Sequence, residues 1–220
     1  MKTLTKEMQT SLSPQKAIEL LIDGNKRFVN NLKYNRNLLQ QVNETSDGQH
    51  PFAIVLSCID SRTSAELIFD QGLGDIFSAR IAGNIVNEDI LGSMEFACKV
   101  AGAKVIVVLG HTKCGAVKGA CDDVKLDNLS ILLEKLKPAV HAETTVTLNR
   151  NSANPEFVEK VAALNVKLTM ERITEKSPLL NNMIQENEIS LVGGMYNVDT
   201  GIVDFYVKDD VVQPQLETEA

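Results

Sequence analysis

Two short apolar runs, residues 52–56 and 105–109, set the strongest constraint on how this chain folds. Neither run alternates apolar with polar residues, which is typical of strands buried on both faces. Such strands belong to a sheet that is covered by helices on both sides. Because strand ends in an open α/β sheet lie side by side, residues that follow the two runs can meet although they are far apart in sequence.

The other segments alternate helices with strands, which predicts an α/β fold with a mainly parallel central sheet flanked by helices. Ser13 and Pro14 open an N-terminal helix that extends to about residue 31, and residues 35–48 are expected to be irregular. A hairpin joined around residues 199–201 adds an antiparallel edge at the C-terminus. Further helices are predicted over residues 63–70, 87–100, 115–121, 128–140, 155–173 and 178–185. Further strands are predicted over residues 76–81, 189–195 and 202–207.

Composition limits the classes of function that this chain can have. Its 220 residues are enough for one domain with a full core, and we predict a single domain over residues 1–220. The net charge of −7 argues against a nucleic-acid partner, and no apolar run reaches the roughly 18 residues of a membrane span. We see no secretory signal and no disulfide framework among the four cysteines. We therefore expect a cytoplasmic protein.

Candidate metal ligands follow directly after both apolar runs. Cys58 comes after the first run, and His111 and Cys114 come after the second. Two cysteines and one histidine suit zinc better than magnesium or calcium, and three protein ligands leave a fourth position open, as in catalytic zinc sites. The alternative is that these cysteines are small buried core residues, as we expect for Cys98 and Cys121.

Asp60 and Arg62 lie close enough to Cys58 in sequence to act at the same ion. If Asp60 fills the fourth position, the site is closed. If Arg62 holds the carboxylate in a two-point pair, water can bind the metal instead. A surface ion pair of little consequence is the alternative. Since two thiolates cancel the charge of Zn²⁺, its bound water should be less acidic than in a three-histidine site, and activity should rise towards alkaline pH.

An ordered set of motifs resembles the β-class carbonic anhydrases. These motifs are Cys58-Ile59-Asp60-Ser61-Arg62, Arg80-Ile81-Ala82-Gly83-Asn84, Ser93-Met94-Glu95-Phe96-Ala97 and Gly110-His111-Thr112-Lys113-Cys114-Gly115. The likeness spans about residues 14–207, with weaker matches at residues 24–28 and 196–201. It implies an α/β fold with an N-terminal helical arm that embraces a second subunit, in a homodimer or a homotetramer.

The resemblance also implies the chemistry, which is zinc-dependent, reversible hydration of carbon dioxide to bicarbonate and a proton by metal-bound hydroxide. Asp60 and Arg62 match the family's catalytic pair, with Asp60 as the alternative fourth ligand. Gly83 and Gln71 are the candidates for the substrate pocket, which we expect to be narrow and lined by aliphatic or Phe side chains. The ligands of one Zn²⁺ per chain would be Cys58, His111 and Cys114.

One departure and two alternatives accompany the resemblance. A bicarbonate-controlled switch in part of the family depends on a Trp and a Gly near the first cysteine, and Val55 and Ser57 stand in those places here. That substitution puts the switch in doubt. The same site could instead hydrolyse carbonyl sulfide or carbon disulfide, because pocket access rather than the ligands decides the substrate. Alternatively, Asp60 could permanently close a non-catalytic zinc site that only stabilises the fold.

Overall fold

A single mixed sheet forms the centre of the computed structural model, which describes residues 3–207 and 210–212. Its strands are β1 (Ala53–Ser57), β2 (Ile76–Arg80), β3 (Val105–His111), β4 (Ser190–Tyr196), β5 (Val203–Val207) and β6 (Asp210–Val212). Within the described residues the strand order is β2-β1-β3-β4-β5-β6. The first four strands pair in parallel and the last two pairings are antiparallel. The predicted parallel sheet with an antiparallel C-terminal edge is therefore confirmed.

Helices flank this sheet, and several of them begin at a side-chain cap. They are α1 (Lys6–Ser11), α2 (Pro14–Val29), α3 (Leu38–Glu44), α4 (Ala65–Ile68), α5 (Glu88–Glu95), α6 (Gly115–Cys121), α7 (Asp127–Glu134), α8 (Lys137–Ala142), α9 (Pro155–Lys176) and α10 (Pro178–Gln185). Ser13 caps α2 by accepting a hydrogen bond from the Lys16 N–H at 3.1 Å. Asn154 caps α9 in the same way, accepting from the Phe157 N–H at 3.3 Å. A proline at the first position suits α2, α9 and α10 because that position needs no N–H donor.

Both faces of the central strands are buried in apolar clusters. On one face, Leu56 and Val108 belong to a cluster with Val166 of α9. On the opposite face, Val55 belongs to a cluster with Leu21 of α2. Every residue of β1 and β3 is buried. Coverage on both faces explains why the two runs show no alternation in the sequence.

Helix α3 shows that the prediction of an irregular segment over residues 35–48 is wrong. Asn37 caps this helix by accepting a hydrogen bond from the Gln40 N–H at 3.1 Å. Leu38 and Leu39 are exposed, whereas the polar Gln41 is buried. This helix has no recognisable sequence signal because its apolar side chains lie on the exposed side, the reverse of the usual pattern.

Two predicted helices are interrupted in the structure. The helix predicted over residues 128–140 is divided into α7 and α8. Pro138 is the reason, since it has no N–H to donate and cannot lie in the interior of a continuous helix. The helix predicted over residues 87–100 begins as α5 and continues as a π-helical turn over Phe96–Val100.

The N-terminal segment is helical, as predicted, and it packs on its own chain. Ala17, Ile18 and Leu21 of α2 are buried in the cluster on one face of the sheet. In α1, the Gln9 side chain donates hydrogen bonds to the backbone carbonyls of Pro51 and Ala101, each at 2.7 Å. The contact of this arm with a second subunit stays a prediction. Within the described residues, the helices lack the length and apolar character needed to cross a bilayer.

Candidate metal centre

Three candidate ligands meet where two neighbouring strands end. Cys58 follows the last residue of β1, His111 is the last residue of β3, and Cys114 is the N-cap of α6. The two strands are parallel neighbours, and Ser57 lies beside Leu109 in register. Because the strands run in the same direction, their carboxyl ends bring both ligand segments to one edge of the sheet.

The ligand atoms are close enough to share one ion. The Sγ atoms of Cys58 and Cys114 are 4.0 Å apart. The ligand atoms of these two cysteines and His111 all lie within 4.8 Å of one another, and all three residues are buried. Thiolate and imidazole together are the donor set that zinc favours. The structure therefore brings together the three residues that the sequence singled out as ligands.

The orientation of the His111 ring fits a role as a ligand. Its Nδ1 atom lies 2.8 Å from the Thr112 carbonyl oxygen. Because a carbonyl oxygen only accepts hydrogen bonds, the contact assigns the proton to Nδ1 and leaves a lone pair on Nε2. Within the described residues, that Nε2 atom is buried and has no hydrogen-bond partner. A buried nitrogen lone pair beside two sulfurs is what a bound cation would satisfy.

The two thiols influence each other's protonation when no cation lies between them. The hydrogen bond from the Cys114 thiol lowers the pKa of Cys58, and burial opposes that effect. The same hydrogen bond, together with burial, raises the pKa of Cys114. A coordinated divalent ion would deprotonate both cysteines, because metal-bound thiols are thiolates.

Beside the ligands, Asp60 and Arg62 form a two-point carboxylate–guanidinium pair. Arg62 Nε donates to Asp60 Oδ1 at 2.9 Å and Arg62 Nη2 donates to Oδ2 at 2.8 Å. The backbone N–H of Arg62 adds a third hydrogen bond to Oδ1 at 3.0 Å. These hydrogen bonds from Arg62 hold the pKa of Asp60 well below its usual range, so the carboxylate stays ionised. Asp60 is not part of the ligand cluster in this arrangement, and its catalytic role stays a prediction.

Two residues without a predicted role hold the backbone that carries Cys58 and Asp60. Arg80, at the end of β2, donates from Nε to the Cys58 carbonyl at 3.0 Å and from Nη2 to the Asp60 carbonyl at 2.6 Å. The Thr63 hydroxyl also donates to the Cys58 carbonyl, at 3.0 Å. Arg80 belongs to one of the motifs that carry the family resemblance, and that was the only indication in the sequence that Arg80 has a role at the site.

The turn that carries the other two ligands is held from α9 and from β4. Lys113 has a left-handed backbone with φ +57°, and its N–H donates to Glu159 Oε1 of α9 at 2.9 Å. The Thr112 N–H donates to the Tyr196 carbonyl of β4 at 2.9 Å. Glu159 has no predicted role, since a glutamate on a helix surface gives no sign of which loop it will contact.

A cavity of about 270 Å³ opens beside the ligands. Cys58 and Asp60 are part of its wall. The remaining lining residues are small or aliphatic, namely Ile59, Ala82, Gly115, Ala116, Gly119, Leu129 and Leu133. The lining is therefore mostly aliphatic, and the narrow substrate pocket stays a prediction.

Comparisons with known proteins identify the family. The carbonic anhydrase family model matches residues 53–203. Carbonic anhydrase 2 of Mycobacterium tuberculosis is 33% identical over 197 residues, which cover 86% of this chain and 91% of that protein. The solved structure of the β-carbonic anhydrase CcaA is 27% identical, with a TM-score of 0.70 and 92% of each chain covered. The chain belongs to the β-carbonic anhydrase family. A further similar structure, from a study of two tetrameric β-carbonic anhydrases of Sordaria macrospora, is 26% identical with a TM-score of 0.65, covering 76% of this chain and 85% of that one.

Membership of the β-carbonic anhydrase family confirms the predicted enzyme class, a carbonic anhydrase. The two alternatives, a carbonyl sulfide or carbon disulfide hydrolase and a non-catalytic zinc module, are not favoured by relatives that are named carbonic anhydrases. The switch positions, Val55 and Ser57, are fully buried in β1.

The two predicted pocket residues lie in different surroundings. Gly83 belongs to a short 3₁₀ turn over Ala82–Asn84, and its N–H donates to Cys58 Sγ at 3.4 Å. The Gln71 side chain donates to the Phe69 carbonyl at 2.6 Å. Neither residue is among those that line the cavity beside the ligands. Their roles in the substrate pocket stay predictions.

Proposed function

We propose that this protein catalyses the reversible hydration of carbon dioxide to bicarbonate and a proton, with one Zn²⁺ per chain held by Cys58, His111 and Cys114. The observation that carries the proposal is the buried Cys-His-Cys cluster next to the Asp60–Arg62 pair, in a chain of the β-carbonic anhydrase family. When bound, zinc acts as a Lewis acid that acidifies a water molecule and so supplies the nucleophile.

Asp60 and Arg62 orient the nucleophile in this proposal. An ionised carboxylate only accepts hydrogen bonds, so Asp60 can fix the direction of an attacking O–H group. Arg62 occupies both carboxylate oxygens from one side, at 2.9 and 2.8 Å, which keeps Asp60 from turning towards the ligand sulfurs. Because the pKa of Asp60 is lowered by these bonds, Asp60 is ionised throughout the neutral and alkaline range. Activity that rises towards alkaline pH would therefore have another origin than Asp60.

The cavity suits a small apolar substrate. Carbon dioxide has no net dipole, and the side chains of Ile59, Leu129 and Leu133 offer it an apolar wall next to Cys58 and Asp60. The apolar wall and the charged acceptor also favour binding of the substrate over the product, because bicarbonate is an anion that gains little from aliphatic contacts.

The test is stopped-flow hydration of carbon dioxide by protein whose zinc content has been measured. Cys58→Ala and His111→Ala should abolish activity, because each removes one ligand of the ion. Cys98→Ala is the matched control, since Cys98 is buried but lies outside the ligand cluster. Retention of most activity in either ligand variant, or the absence of stoichiometric zinc in the active parent protein, would contradict the proposal.

We further propose that the chain forms a homodimer or homotetramer and resides in the cytoplasm. The proposed assembly draws support from the Sordaria macrospora structures, which are described as tetrameric. The proposed location draws support from the four cysteines, all of which are free. Sedimentation velocity on the zinc-loaded protein would decide the assembly, and a purely monomeric species would contradict it.

A further inference from the structure

A buried asparagine of α9 hydrogen-bonds to the turn that contacts the Cys58 sulfur, and it is not among the residues that line the cavity. Asn165 of α9 is 1% exposed, and its Nδ2 donates a hydrogen bond to the Gly83 carbonyl at 2.9 Å. Its Oδ1 has no hydrogen-bond partner within the described residues. Burying a half-satisfied amide is unfavourable compared with an apolar side chain of the same shape. The fold tolerates this cost at a position whose one hydrogen bond goes to Gly83.

Gly83 is the backbone element that reaches the first ligand. Its N–H donates to Cys58 Sγ at 3.4 Å, while its carbonyl accepts from Asn165. Its φ of +70° lies in the left-handed region, which glycine adopts more readily than other residues. The Leu136 side chain packs against its Cα and leaves no room on that side. The Asn84 N–H, which is in the same peptide group as the Gly83 carbonyl, donates to the Ile81 carbonyl at 3.0 Å. Asn165 therefore adds a second hydrogen bond that holds the turn from which the Gly83 N–H reaches the sulfur.

We propose that Asn165 is a positioning residue for the metal centre, acting through Gly83 on the thiolate of Cys58. This inference rests on the proposed function, because it assumes that Cys58 ligates the ion. A hydrogen bond to a ligand sulfur withdraws electron density and stabilises the deprotonated form. Gly83 contacts the ligand sulfur directly, and partners in that position typically contribute 10- to 100-fold to metal affinity. Asn165 lies one step further out, so we expect its contribution to be about 10-fold at most. Asn165 should therefore set both the affinity of the site and the electronic state of the sulfur.

The first test measures zinc affinity by competition with a chromophoric chelator. Asn165→Leu keeps the approximate shape of the side chain but removes the donor, and it should weaken zinc binding several-fold, up to about 10-fold. Thr169→Val is the matched control. Thr169 lies on the same helix and is fully buried, and its hydroxyl has no hydrogen-bond partner within the described residues. This control should bind zinc as the parent does.

The second test reads the sulfur directly in protein loaded with Co²⁺. The thiolate-to-cobalt charge-transfer band should move to longer wavelength in Asn165→Leu, because a sulfur that has lost a hydrogen bond gives up electron density more easily. A purely structural role would lower stability without moving this band. If Asn165→Leu does not fold, the smaller Asn165→Ser takes its place and should show the same two changes.

Each outcome decides the inference. Weaker zinc binding together with a shifted band, both absent in Thr169→Val, supports it. Parent-like affinity and an unmoved band in the folded variant overturn it while leaving the proposed function intact. A parent protein that binds neither Zn²⁺ nor Co²⁺ overturns the proposed metal centre and this inference with it.

Discussion

Replacing Gly83 with alanine tests how tightly the site is supported. At φ +70° an alanine costs about 1–2 kcal/mol more than glycine. Its Cβ would lie 2.9 Å from Leu136 Cδ1, and Leu136 is 0% exposed, so that side chain has little room to withdraw. Overpacking of this kind costs about 1–3 kcal/mol. We expect Gly83→Ala to lower the free energy of unfolding by about 2–4 kcal/mol, allowing for partial relaxation of Leu136.

The assay is urea unfolding followed by circular dichroism in the presence of excess chelator. The chelator is needed because a metal that binds only the folded state adds stability and would mix two effects. Gly92→Ala in α5 is the control, since its added Cβ meets nothing within 4 Å and alanine favours a helix by up to about 1 kcal/mol. If Gly83→Ala unfolds within about 0.5 kcal/mol of the parent, the claimed constraint around Gly83 is wrong.

Three further predictions concern charged side chains. Arg62→Lys keeps the charge but loses the two-point pair with Asp60, so kcat/KM for carbon dioxide in stopped flow should fall about 10-fold or more; a parent-like value would refute the role of the pair. Burial raises the pKa of Asp75. The ionised carboxylate therefore lowers the free energy of unfolding at pH values above its folded-state pKa. It has no such effect below its unfolded-state pKa, because Asp75 is then protonated in both states. Asp75→Asn should therefore gain stability over the parent in urea unfolding at about pH 8 and lose that gain near pH 3, and an equal difference at both pH values would contradict this. Glu159→Ala removes the acceptor of the Lys113 N–H and should weaken zinc binding about 10-fold. Glu159→Gln keeps an acceptor and should bind zinc as the parent does. Equal zinc affinities of the two variants in chelator competition would exclude this role of Glu159.

The sequence predicted those parts of the fold whose signals are local. The buried strands were visible because Val55 and Val107 stand in unbroken apolar runs. The start of α2 was visible because Ser13 is a cap and Pro14 occupies the first helical position. Helix α3 was not visible, because its burial pattern is set by contacts with distant residues. Gln41, for example, is buried where its side chain accepts a hydrogen bond from the Leu73 N–H at 3.2 Å.

Local signals also decide which residues of the candidate site could be predicted from the sequence. Cys58 and His111 could be proposed as ligands because each follows a recognisable strand and carries a chemically distinctive side chain. Asn165 and Glu159 could not, because an amide or a carboxylate within a long helix is chemically ordinary. Their relevance comes from the packing of α9 against β3 and β4, and that packing is a property of the whole fold rather than of any segment.

Arg80 connects the border of the sheet to the loop that carries Cys58 and Asp60. This residue is the last of β2, the outermost strand of the parallel half of the sheet, and its guanidinium donates hydrogen bonds to the carbonyls of Cys58 and Asp60. A sideways displacement of that strand would therefore move the loop that carries Cys58 and Asp60. An outermost strand is also where a second polypeptide can add by backbone pairing. A polypeptide that pairs with β2 would therefore influence the positions of Cys58 and Asp60.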